Sequence, residues 1–276
     1  MKKVKNIIGI PLLGRIILFI YRFKVAFGYF VTPLWQLLQW MVQSREITNF
    51  TYALSERNLQ YLAFLIADVT EKSVDEITKY IIEIESDEAL REHVKKLTIE
   101  SSEGLISDSE AKFGRRVGWY AFVRAKKPKI VVETGVDKGL GSCVLTAALQ
   151  RNASEGHLGY YYGTDINPKA GYLFQGNNTN FGEILYGDSI ESLRNLDVTI
   201  DLFINDSDHS SLYEAEEYKV IAPKLSSDAI ILGDNSHVSD KLMKFAMQKG
   251  LRFLFFKESP LNHWYPGGGI GIAFKR

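Results

Sequence analysis

The sequence predicts an α/β fold: a doubly wound, mostly parallel seven-stranded sheet with an antiparallel C-terminal hairpin, preceded by a helical extension. Three observations predict it. From Lys129 onward, short runs rich in Val, Ile, Leu, Phe and Tyr alternate with helical segments, as in a parallel sheet covered on both faces. The first run leads straight into a glycine-rich turn, VVETGVDKGLGS at 131–142. The last two runs are separated only by a loop at 258–268 that holds Pro260 and Pro266, which favours a hairpin over a crossover.

The extension comes first in the chain. Overall, 33 Lys and Arg balance 33 Asp and Glu, 46% of residues are hydrophobic and 24% are charged. That composition excludes a strongly basic nucleic-acid binder and an acidic disordered tail. One cysteine allows no internal disulfide, which fits a reducing, cytoplasmic compartment. The balance is uneven along the chain. Residues 1–45 carry seven cations and no acid, which leaves 26 cations against 33 acids in the remainder, a net of −7. Residues 7–42 are strongly apolar, and Val25 to Ser44 is a 20-residue stretch without charge, about the length of a membrane span. Gln36, Gln39 and Gln43 form a polar stripe at helical spacing within it. Three readings fit: peripheral contact with an anionic membrane on its cytoplasmic side, packing on protein, including a second copy in a homo-oligomer, or a true membrane span.

Residues 46–108 read as a helical accessory subdomain. Ser55 caps a helix to about Val69, Ser73 to Glu76 form a capping box, and Ser86 or Asp87 starts a third helix. A further helix is expected from Ser109 to about Arg124, ended by Pro128. The α/β domain then occupies 109–276. Its strands are expected at 129–132, 159–164, 184–186, 201–204, 229–232, 252–257 and 269–274, with helices between the first six.

In such sheets the ligand sits at the carboxyl ends of the strands, and the motifs lie there. Gly135, Gly139 and Gly141 are spaced G-x-x-x-G-x-G, which is neither a dinucleotide fingerprint nor a phosphate loop. Glu133 in front of them repels a pyrophosphate and suits a cation; S-adenosylmethionine (SAM) is cationic and has no phosphate. Ser142 begins the next helix. Asp165 ends the second strand, where a carboxylate accepts from ribose hydroxyls or caps a helix. Asp188 and Ser189 end the third strand, as adenine partners or as another cap. Strand four ends in Asp206, Asp208 and His209, and strand five in Asp234, Asn235 and His237. Carboxylates with an amide oxygen suit a hard cation such as Mg²⁺. His209, His237 or Asp208 could take a proton from a substrate hydroxyl.

The ordered set ETGVDKGLGS, GTDI, GDSIESL, FINDSDHS and ILGDN resembles class I SAM-dependent methyltransferases over about 109–276. It looks closest to the bacterial branch near macrocin-type sugar O-methyltransferases. The resemblance implies Glu133, Gly135, Asp165 and Asp188 as cofactor positions. Asp206, Asp234 and Asn235 match the metal ligands of cation-dependent catechol and caffeoyl-CoA O-methyltransferases, while Asp208 and His209 depart from that pattern. The expected function is O-methyl transfer, assisted by a divalent metal, to a hydroxyl of a sugar, glycan or other natural product. The alternatives are a metal-free enzyme with a histidine base, or a catalytically silent SAM-fold scaffold at a membrane.

Overall fold

The computed structural model describes residues 11–47, 51–208, 210–234 and 236–275. The chain divides into two compact units, Met1–Ser44 with Asn262–Pro266, and Arg45–Leu261 with Gly267–Arg276.

The first unit contains helices α1 (Pro11–Gly28) and α2 (Val31–Gln43). The uncharged stretch from Val25 to Ser44 is therefore not one helix: it breaks at Tyr29 and Phe30, and the two helix axes bend by 48° there. Pro33 sits in the first turn of α2, where a missing N–H costs nothing. Near the other end of α2, Trp40 meets Trp264 edge-on at 5.2 Å and His263 at 6.5 Å.

The second unit is built on one sheet of order β3-β2-β1-β4-β5-β7-β6. Its strands are β1 (Ile130–Thr134), β2 (Tyr160–Asp165), β3 (Gly182–Tyr186), β4 (Ile200–Asn205), β5 (Leu225–Gly233), β6 (Arg252–Lys257) and β7 (Gly269–Phe274). The first five are parallel, and β7 runs antiparallel to both β5 and β6. The order changes direction between β1 and β4. Helices α7 (Leu140–Ser154), α8 (Ser189–Asn195), α9 (Ser211–Ile221) and α10 (Lys241–Lys249) cover the sheet. One buried cluster joins Val132, Phe203 and Ile231 of the strands to Tyr218, Ile221, Leu242 and Phe245 of the helices.

Between β2 and β3 the expected α-helix is replaced by a loop with a 3₁₀ turn at Gly176–Asn180. Pro168 and the left-handed Gly171 and Gly176, followed by a run of Asn and Thr, leave no uninterrupted apolar face to support a helix.

The accessory helices belong to this same unit. They are α3 (Glu56–Thr70), α4 (Val74–Glu85) and α5 (Glu88–Glu100). Ser73 Oγ accepts from the Glu76 amide at 3.1 Å and Asp87 Oδ1 from the Leu90 amide at 2.9 Å, so two of the expected caps are formed. Leu62, Ile66, Ile77, Ile81 and Ile84 are buried. Helix α6 (Arg116–Lys126) starts later than the expected Ser109. The cause is Gly114, which has φ +51° and faces the Tyr52 ring so closely that a Cβ would lie 3.0 Å from it. The chain turns at Gly114 and becomes helical just beyond it. Lys127, at φ 51°, and Pro128 end α6. Within α6 the buried Arg124 donates to Glu83 at 2.8 Å and to Glu155 at 2.5 Å, joining α4 to the end of α7.

Candidate active site

Backbone register places the site. Thr134 pairs with Thr164 on one side and Asn205 on the other, and Asn205 pairs with Gly233. Gly135, Asp206 and Asp234 therefore leave the sheet side by side. Their amides continue the ladder, donating to Thr164, Thr134 and Asn205 carbonyls, each at 2.9 Å.

The glycine turn is shaped by what touches it. Gly135 has φ +83°, and a Cβ there would lie 2.0 Å from the Asp206 carbonyl oxygen. No side chain fits that contact. Gly139, at φ 93°, caps α7. At Gly141 a Cβ would lie 2.1 Å from Glu133 Oε1, so Gly141 makes room for that carboxylate. Glu133 is 1% exposed. It accepts from the Tyr161 hydroxyl and, at 3.4 Å, from Ser142 Oγ. Burial pushes the Glu133 carboxyl up to about 7, against the Tyr161 hydrogen bond and the nearby Arg116 charge. The acid expected to attract a cationic ligand is thus held underneath the turn.

Asp165 ties the turn down. Its Oδ2 accepts from the Val136 amide at 3.1 Å and the Asp137 amide at 2.9 Å, and its Oδ1 from the Asn167 amide at 2.8 Å. Asp188 caps α8, with Oδ1 accepting from the Glu191 amide at 3.0 Å and Oδ2 from the Tyr213 hydroxyl at 2.9 Å. Ser189 is buried and donates to Glu217. Asp188 thus makes the expected cap.

Beside the turn lies an acid–arginine cluster. Arg115 forks onto Asp234, through Nε to Oδ1 and through Nη2 to Oδ2 at 2.5 Å. Its Nη1 donates to the Tyr52 hydroxyl at 3.4 Å, and that hydroxyl donates to Glu258 at 3.1 Å. Asp206 lies 4.0 Å from Arg115 Nη2 and 3.8 Å from Arg116 Nη2. Burial, and then the Asp234 charge, push Asp206 well above the usual carboxylate range. Burial also acts upward on Asp234, but the Arg115 guanidinium overrides it and holds Asp234 below the ordinary value.

This arrangement bears on the expected Mg²⁺ site. Asn235 lies outside the described residues, as does His209. The remaining ligands, Asp206 and Asp234, face guanidinium groups, and both oxygens of Asp234 are taken by Arg115. Among the described residues no group of three or more His, Cys, Asp or Glu side chains could hold a metal ion. The described residues do not fit a divalent cation, because positive charge already fills the space between the carboxylates.

Two of the other expected proton acceptors, Asp208 and His237, are described. Asp208 is exposed and binds its own loop, accepting from the Ser210 amide at 3.1 Å and Ser210 Oγ at 3.2 Å. His237 is exposed, with Nδ1 3.2 Å from the Asp234 carbonyl oxygen. Cys143 is fully buried, and burial pushes its thiol up, as suits a small packing residue and not a nucleophile.

Sequence reasoning missed Glu217. It is buried in α9, accepts from Ser189, Asn205 and, at 2.7 Å, Ser207, and so links the ends of β3 and β4. The signal was available: Glu214, Glu217, Tyr218 and Ile221 share one face of α9 at helical spacing, so the acids lie on its buried side.

The acceptors gathered at the strand ends fit SAM. Glu133, Asp165 and Asp188 are acceptors, and Asn205 Oδ1 is buried without a hydrogen-bond partner. Such a set suits ammonium, hydroxyl and amino donors and repels phosphate.

A family profile described as "Methyltransferase domain" matches residues 132–236. Comparison with curated proteins returns no match. Among solved structures, a methyltransferase of Geobacter sulfurreducens is 14% identical with a TM-score of 0.51, covering 69% of this chain and 92% of its own. The O-methyltransferase TomG of Streptomyces achromogenes, involved in tomaymycin synthesis and solved with SAM, is 14% identical with a TM-score of 0.50, covering 69% and 90%. At such identity these likenesses show the fold. The chain thus has the class I methyltransferase fold, and the methyltransferase profile matches the stretch from β1 to just past β5.

Proposed function

We propose that the chain is a SAM-dependent O-methyltransferase acting on a hydroxyl of a sugar, glycan or other natural product, with no divalent cation between Asp206 and Asp234. The observation that carries it is the glycine turn, seated against the Asp206 carbonyl, tied down by Asp165 and underlain by the buried Glu133, in the stretch that the methyltransferase profile matches. The acceptor class rests on the resemblance to macrocin-type enzymes.

When bound, SAM supplies a methyl group already activated on sulfur. Gly135, Gly139 and Gly141 give it a close backbone approach. Glu133, buried beneath with Ser142, offers negative charge to its cationic part. Asp165 and Asp188, with Ser189, serve its ribose and adenine. Across the crevice, Arg115 and Arg116 hold the two carboxylates and supply the positive charge a metal would bring. The residues left to accept the proton of the substrate hydroxyl are Asp208, His209 and His237. Alanine at each, read as kcat against KM, assigns the base. The finer reading of place is peripheral attachment to a membrane through residues 1–45.

Calorimetric titration with SAM in the presence of EDTA tests the cofactor reading. Binding is expected; its absence sinks both enzyme readings and leaves the silent scaffold. A methylation assay with and without EDTA tests the metal-free part. Unchanged turnover is expected, whereas loss on chelation with recovery on Mg²⁺ overturns it.

A further inference from the structure

Helices α1 and α2 present apolar stripes to solvent. Along α1, Leu12, Ile16, Phe19, Phe23 and Phe27 recur every three or four residues and are all exposed, Phe19 to 69%. At 100° per residue they form one stripe, flanked by Arg15 and Arg22 on one side and Lys24 on the other. Along α2, Val31, Leu34, Trp35, Leu38 and Val42 form a second exposed stripe, with Trp35 at 61%. Gln36, Gln39 and Gln43 lie away from it, and no residue of α2 is fully buried.

Neither helix crosses a bilayer alone. At 1.5 Å per residue, 18 and 13 residues make rods of about 27 and 20 Å, short of the roughly 30 Å hydrocarbon core. The pair together has the length and composition of a broken span, but Arg15, Arg22 and Lys24 would then lie at hydrocarbon depth, at a cost of a few kcal/mol each. Lying flat, the same cations reach the headgroups while the stripes enter the acyl boundary. Charge decides between a lipid surface and a second copy. Residues 1–45 hold seven cations and no acid, so two copies of this face repel, whereas an anionic leaflet attracts it.

We propose that α1 and α2 form a monotopic anchor lying in the plane of an anionic lipid leaflet, with Arg15, Arg22 and Lys24 at the headgroups. This rests on the reading of residues 1–45 as an attachment segment. The loop Asn262–Pro266 belongs to the same unit through Trp40, so the anchor includes its aromatic residues, as interfacial segments commonly do.

The test is co-sedimentation of the full chain with phosphatidylcholine vesicles made with and without phosphatidylglycerol, alongside a SAM titration on the same preparation. Binding at least about tenfold tighter to the anionic vesicles is expected, weakened by salt. It should fall to the neutral-vesicle level in the triple variant R15Q/R22Q/K24Q. F19S/F23S should weaken binding to both vesicle types, and alkaline carbonate should release the bound protein. Equal binding to both vesicle types, no binding, a salt-insensitive dimer in place of vesicle binding, or retention in carbonate overturns the proposal. SAM binding without vesicle binding rejects the anchor alone, and vesicle binding without SAM binding rejects only the methyltransferase reading. If the triple variant does not fold, the salt dependence and carbonate release of the natural chain still decide.

Discussion

Glu133 is a buried carboxylate under the glycine turn, with two hydroxyl donors and an arginine nearby, so the proposed SAM site predicts a pH dependence. Its carboxyl, raised to about 7 by burial, keeps its proton in the folded chain at a pH where the unfolded chain has lost it. The folded state then binds more protons than the unfolded state between the ordinary carboxylate value and about 7, so stability falls as pH rises through that window and levels off above it. A cationic ligand over the turn favours the ionised form and expels the proton. SAM affinity should therefore rise with pH below about 7, by up to about tenfold per unit, and flatten above it. In Glu133→Gln the affinity should be lower and independent of pH, and the fall in thermal stability across the window should disappear. Titration calorimetry from acid to neutral pH, with melting curves of both proteins, checks this. A pH-independent affinity in the natural chain would show that Glu133 does not face the cation.

Elements explain why Asp188 was ambiguous in the sequence and how to separate its roles. A helix N-cap and a ligand acceptor use the same side chain at the same place, the end of a strand leading into a helix. The cap is present in α8. Asn caps about as well as Asp but carries no charge. Asp188→Asn should keep stability within about 0.5 kcal/mol, whereas Asp188→Ala should cost about 1 kcal/mol. If Asp188 also serves adenine, both variants should bind SAM more weakly; unchanged affinity in Asp188→Asn would leave it a cap alone. Most other elements were readable for a related reason. Strand cores are apolar runs with turn residues between them, so all seven were visible. Their ends were less so: β1 continues through Glu133 and Thr134, and β5 begins among Leu225 to Asp228, because buried polar residues and an exposed edge do not look like a strand core. The start of α6 was hidden because Gly114 turns against Tyr52, a partner distant in sequence. The Arg115–Asp234 fork joins residues 119 positions apart, and no local pattern reports such a meeting. The acids at the strand ends were legible; the arginines that neutralise them became meaningful only in three dimensions.

At the scale of the whole molecule, the zero net charge is the sum of a cationic apolar segment and an acidic remainder that holds every proposed cofactor position. We propose three parts: an attachment segment at 1–45, the accessory helices at 46–108, and the chemistry at 109–276. The second and third share one compact unit, so removing the accessory helices would uncover α6, where Gly118 faces Leu62 and the buried Tyr120 donates to Glu83, and would threaten folding. Removing the first segment is the cleaner test. All residues assigned to SAM lie beyond it, and α1 and α2 contribute little to any buried core. A chain lacking residues 1–44 should melt near the temperature of the full chain and bind SAM within about threefold of it. It should no longer pellet with anionic vesicles. One contact confounds the comparison: Trp264 loses Trp40, and a newly exposed tryptophan invites association. Trp264→Ser in the truncated chain removes that liability. If this chain folds, stays monomeric and still fails to bind SAM, residues 1–44 take part in the site and the separation is wrong. If it binds SAM as the full chain does, the acidic remainder carries cofactor recognition by itself.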